Sequence, residues 1–144
     1  MPVILPPSPG DSTVTVAYEL EDMPRIEKGL RRLILDRITG IPDLKVVTSL
    51  PSPMPLRVVR LARVAGPRER LNDFPVVDIE SFSPTYAEAS RLAERIDTLL
   101  MGYPLRAGDV VLDTVYATVA PVELPWEDAN VRRFLATYRF SVRR

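Results

Sequence analysis

The chain has 144 residues, is 46% hydrophobic, and carries 19 basic against 19 acidic residues for a formal net charge of zero. That length accommodates one domain with a real core rather than two, and the balanced charge excludes a global field that would recruit nucleic acid or an anionic membrane. The absence of Cys and His excludes disulfides, thiolate nucleophiles, Cys/His zinc sites and Ser-His-Asp or Cys-His catalytic groups.

The basic residues are 17 Arg and 2 Lys. A GC-rich genome explains that bias better than selection for guanidinium chemistry, since the two side chains differ physically only at bidentate or stacked sites. No run approaches the ~18 apolar residues needed to cross a bilayer, and the N-terminus lacks the basic and apolar regions of a signal peptide. A protein kept in the cytoplasm, with no membrane partner, is expected.

Residues 1–12, MPVILPPSPGDS, hold four prolines and a glycine and have neither helical nor strand period. They read as an extended arm, continued to residue 18 by TVTVAY, which is either a short strand or more arm. Val3, Ile4 and Leu5 give the arm an apolar patch, so docking on a neighbouring subunit and an unstructured terminus both stand as readings. A single domain is expected over residues 19–144.

Residues 22–40, DMPRIEKGLRRLILDRITG, predict a first helix with Asp22 as cap, Pro24 in the opening turn and Gly40 at the close. Its apolar face is Ile26, Leu30, Leu33, Ile34 and Ile38. Gly29 weakens the interior by roughly 1 kcal/mol relative to Ala, so either packing compensates or another segment approaches closely there. A proline-punctuated connection over 41–55 follows, with room for one short strand at 45–48.

Residues 56–64 and 74–82 read as paired strands joined by a polar loop over 65–73. Strand alternation sets Arg57 and Arg63 opposite Arg60, unless a bulge intervenes. The clearest helix is residues 83–102, SPTYAEASRLAERIDTLLMG, whose Ala89, Leu92, Ala93, Ile96, Leu99 and Leu100 form one apolar stripe. Its start is signalled by Ser83 with Pro84 and by the Thr85-x-x-Glu88 capping box, and Gly102 suits a left-handed C-terminal residue. Packing on a sheet should hold it, because burying each large stripe residue contributes roughly 1.5 to 3 kcal/mol before entropy, whereas an exposed ion pair contributes a few tenths.

After a turn over 103–109, residues 110–120 are strand-like, with Val111, Val115, Ala117 and Val119 taken as the core face. A long loop over 121–130 leads to the last strand, 131–142, where Phe134, Ala136, Tyr138, Phe140 and Val142 alternate inward against Arg133, Thr137, Arg139, Ser141 and Arg143. The order helix-strand-strand-helix-strand-strand predicts an α+β fold: a mainly antiparallel four-stranded sheet with two helices on one face.

The search for chemistry finds little. The sequence contains no nucleotide-binding glycine motif, metalloprotease motif, nucleophile elbow or EF-hand loop. Asp78 and Glu80 share a strand face, which suits acid/base work or Mg²⁺ as well as it suits a solvated or inter-subunit surface. No catalytic, metal or cofactor residue is assigned. Trp126, in PVELPWEDAN, reads as a cap on its own core or as an interface anchor. Arg68 and Arg70 belong to an arginine cluster that reads as solvated or as a contact to phosphates or acidic neighbours.

The run FPVVDIESFS into SPTYAEASRLAERIDTLLMG, then a valine-rich strand, the loop around Trp126, and the final RRFLATYRFSVRR resembles the tail terminator (tail completion) proteins of long-tailed, siphovirus-type bacteriophages. The likeness is one of element order over residues 20–144, and the proline-rich arm and the 41–55 connection depart from the shorter members. It implies a small non-enzymatic α/β subunit that forms a hexameric ring on the head-proximal end of the tail tube. Such a ring stops tube growth and forms the joint to the head connector or stopper. The implied partners are other copies, the tube protein and the connector, with genomic DNA passing through the lumen without sequence-specific binding. The implied location is the virion tail, after assembly in the host cytoplasm. Ring interfaces are heterologous, and the arm, the 65–73 and 121–130 loops, and outward Arg133, Arg139 and Arg143 are the expected contacts. A head-to-tail adaptor, a tube subunit, and a small cytoplasmic ligand-binding or enzymatic domain are the alternative readings.

Overall fold

The computed structural model describes residues 25–69 and 72–143. The arm, the 13–18 segment, Asp22, Pro24 and Arg70 lie outside the described residues. Helix α1 is Arg25–Arg37, and Ile26, Leu30, Leu33, Ile34 and Ile38 are all buried, as their spacing predicts. Gly40 closes the chain reversal after it at φ 82°, in the left-handed region that favours glycine.

Helix α2 is Tyr86–Leu100, later in starting than its Ser-Pro signal suggests because the capping box wins. Thr85 is the N-cap and its hydroxyl accepts from the Glu88 N–H at 3.2 Å. Ala89, Leu92, Ala93, Ile96 and Leu100 are buried. The expected left-handed Gly102 is absent from the end of the helix, where Met101 caps in right-handed geometry.

The α+β class stands, and the four-stranded sheet is corrected to a mixed seven-stranded one. Its strands are β1 (Lys45–Val47), β2 (Val58–Ala65), β3 (Asn72–Asp73), β4 (Val76–Ser83), β5 (Leu105–Ala107), β6 (Val110–Leu124) and β7 (Arg132–Arg143). The order is β1-β2-β4-β7-β6-β5, with β3 added to the end of β7. The pairings are antiparallel except β1 with β2. The four main expected strands are β2, β4, β6 and β7, β1 is the short strand expected at 45–48, and the two additions, β3 and β5, are short edge or end pieces.

One face of this sheet is covered by both helices. Val59, Leu61, Val77, Ile79, Ala136, Tyr138, Phe140 and Val142 pack with the α1 and α2 stripes in one core. Tyr138 donates from its hydroxyl to the Asp97 carboxylate of α2 at 2.7 Å; burial and that neighbouring carboxylate push its pKa far up. Gly29 lets α1 come down on β5. A Cβ there would lie inside contact distance of the Ala107 carbonyl oxygen and 3.1 Å from its carbon.

Strand β6 corrects the expected core face. Leu112 pairs with Val142 and Thr114 with Ser141, so Asp113 is the extra residue of a bulge that switches faces. Val110 and Leu112 take the inner positions before it and Val115 after it, while Val111 is only half-buried and Val119 is 41% exposed. The strand also runs on to Leu124, which shortens the expected 121–130 loop to residues 125–131.

Candidate assembly surface

The sheet face away from the helices is built by the second half of each alternation. Register places Arg60 beside Glu80 on neighbouring strands, and Arg133 opposite Phe82 across β4 and β7. Glu80, only 8% exposed, accepts from Arg60 Nε at 2.6 Å and from Arg133 Nη1 at 2.9 Å. Removing one carboxylate would therefore leave two guanidiniums facing each other in a largely dry setting. Its neighbour Asp78 accepts from the Thr137 hydroxyl at 2.7 Å. Both acids of the Asp78/Glu80 pair are thus engaged by their own fold, an arrangement that suits scaffolding better than acid/base chemistry. Among the described residues no group of three or more carboxylates is placed to hold a metal ion, and no helix is long and apolar enough to cross a membrane.

Trp126 lies over this face. Its ring meets Phe82 edge-on at 4.9 Å, and Arg133 sits over it at 5.2 Å. Phe82 and the adjacent Val58 are fully buried, so Trp126 caps an outer minor core. Arg133, expected to be exposed to a lumen or neighbour, is instead mostly covered, with 20% of its side chain accessible. Its Nε is buried without a hydrogen-bond partner.

The remaining sites stay nearer solvent. Arg143 donates through Nε to both Asp113 oxygens at 2.9 and 2.7 Å. Arg139 is exposed and lies 6.0 Å above the Tyr116 ring. Arg68 is half-exposed and 3.5 Å from Asp73. The structure therefore gathers Trp126, Arg133, Arg139 and Arg143 on one sheet face, whereas Arg68 meets Asp73, whose strand partner Val142 belongs to the helix-side core.

Of the expected polar loop, Gly66 and Asp73 are both held by Arg63. Arg63 grips Asp73 through two hydrogen bonds, 2.7 and 2.9 Å, and donates to the Gly66 carbonyl at 2.8 Å. Burial pushes Asp73 up, and the Arg63 fork and charge outweigh it and hold the carboxyl below its ordinary range. Glu27, on α1 nearby, goes the other way: burial raises it despite the Arg63 backbone N–H and charge. Arg57 takes a third carboxylate, Glu88, with Nε to Oε1 at 2.9 Å. No bulge unites Arg57, Arg60 and Arg63; each serves a different acid.

Sequence reasoning missed one surface feature, the exposed apolar side chains of β6. Tyr116, Val119 and Val122 are 64%, 41% and 44% exposed. The signal was available in the run Thr114 to Val122, which contains no charged residue.

No protein-family model matches the chain, and no curated protein matches it. Among solved structures, the fold is similar to a chain in the virion of a native gene transfer agent particle, with a TM-score of 0.51 and 20% identity. The match covers 95% of this chain and 100% of that one.

Proposed function

We propose that the chain is a structural protein of a phage-type virion, and within that class a tail terminator that caps the head-proximal end of the tail tube as a ring. The observation that carries this is the fold shared, from end to end, with a chain of a gene transfer agent virion. The element order adds to it, since the strand–α2–strand–loop–aromatic strand run resembles the terminator family. The outer face fits the same role: Glu80 is engaged by Arg60 and Arg133 and Asp78 by the Thr137 hydroxyl, and a mixed-charge surface lets DNA slide without gripping it. The partners in this reading are further copies, the tube protein and the head connector or stopper, in the virion tail. Purified chain mixed with tail tubes and viewed by negative stain tests it. Discs seated on one tube end support the terminator role. Long self-grown tubes would indicate a tube subunit instead, and binding to the connector alone a head-to-tail adaptor.

A further inference from the structure

We propose that the rim of β6 is the docking edge for a second copy of this chain, and that the rim of β2 on that second copy is what it receives. The inference deepens the ring reading and rests on it. Strand β6 runs from Val110 to Leu124, yet β5 covers only Val110, Val111 and Leu112. From Asp113 onward, its side away from β7 has no strand partner among the described residues.

Free sheet edges are normally blunted by charged side chains, because bare N–H and C=O groups recruit other strands. From Thr114 to Val122 this edge carries no charge at all, and only Pro121 and the local bulges interrupt it. The β-branched and aromatic content is what a paired strand wants. Tyr116, Val119 and Val122 stand exposed beside it. Nucleic acid is a poor occupant for an uncharged edge, since phosphate binding runs on cations.

The far end of the same sheet supplies the complement. Strand β1 covers only Val58, Val59 and Arg60 of β2, so Leu61 through Ala65 have no partner on that side among the described residues. Val64 there is 54% exposed, and Leu56, at the other end before the residues that β1 covers, is 70% exposed. The charges match as well. Exposed Arg139, which lies over the Tyr116 ring, and exposed Glu69, in the segment leaving β2, make no ion pair among the described residues. Pairing β6 with itself across a two-fold axis would leave Leu56, Val64 and Glu69 uncovered. Joining unlike rims covers both and repeats head to tail, the kind of contact that makes a ring when the rotation between copies closes.

The test is sedimentation velocity with negative-stain imaging, with and without tail tubes, on the native chain, Val119→Lys, Arg139→Glu, and Arg139→Glu combined with Glu69→Arg. Thermal melts first establish that each variant folds; all three positions are exposed. Val119→Lys and Arg139→Glu are each expected to weaken assembly about tenfold or more, and Glu69→Arg to restore what Arg139→Glu loses. Rings that persist in Val119→Lys and Arg139→Glu overturn the inference and leave the ring reading intact. A native oligomer that needs both rims but ignores tube ends supports the inference and overturns the terminator role. A native chain that stays monomeric and ignores tubes overturns both.

Discussion

Replacing Gly29 by Ala should destabilise the protein, against the helix-propensity scale. In an exposed helix interior the change gains about 1 kcal/mol. In α1 the new methyl would meet the backbone of Ala107, with the carbonyl carbon 3.1 Å and the Cβ 3.3 Å away and the oxygen nearer still. Backbone cannot rotate aside as a side chain can, so α1 must lift from β5, and overpacking of this kind costs about 1 to 3 kcal/mol. Lifting also loosens Ile26, Leu30 and Leu33, which are 3%, 0% and 5% exposed. The net expectation is a loss of up to about 2 kcal/mol, or up to about 7 °C in Tm for a chain of this size. Urea denaturation of Gly29→Ala beside Gly40→Ala measures it. Gly40 has open space but φ of 82°, so its variant should lose about 1 kcal/mol through backbone strain alone. A Gly29→Ala protein more stable than the parent would refute the close approach of α1 to β5.

Two further expectations follow from the charged groups. Glu80→Gln should cost about 2 kcal/mol or more, because Arg60 and Arg133 would then share a neutral partner; a change below about 0.5 kcal/mol in urea titrations would show the triad to be inert. Glu27 and Asp73 should give opposite pH signatures. The folded-state pKa of Glu27 is raised, so its contribution is present below the ordinary glutamate value and is lost as pH rises through the raised one. Glu27→Gln should therefore gain on the native protein as pH climbs through that window. Asp73 is lowered, so its contribution is present above the ordinary aspartate value and disappears as pH falls through the lowered one. Asp73→Asn should be least harmful in acid, and thermal melts from acid to neutral pH that show parallel curves for all three proteins would contradict both assignments.

The large amphipathic elements were legible in the sequence because burial imposes periodicity. Ile26 to Ile38, Ala89 to Leu100 and the Phe134-to-Val142 alternation each announced their inner face, and all are buried there apart from half-covered Leu99. The short strand at 45–48 was legible as β1, and the other two were not, for a physical reason. Asn72 and Asp73 have no strand propensity and are held by β7 and by the Arg63 grip, while β5 is three residues closing on β6. The bulge at Asp113 hid the face of β6, since one unpaired residue inverts all that follows. The hydrogen bonds of the Arg60–Glu80–Arg133 triad span 20 and 53 residues of sequence. Only the pairing register reveals it, although Asp78 and Glu80 were already visible as one face. Trp126 was open between cap and anchor, and its ring lies edge-on to buried Phe82.

The proposed role requires assembly on a tail tube. Analytical ultracentrifugation with negative-stain imaging of the purified chain, alone and with tubes, tests it most directly. Rings in solution, or discs on one end of each tube with growth halted there, are the predicted result. A monomer at every concentration that leaves tube ends bare and tube growth unchanged would contradict it.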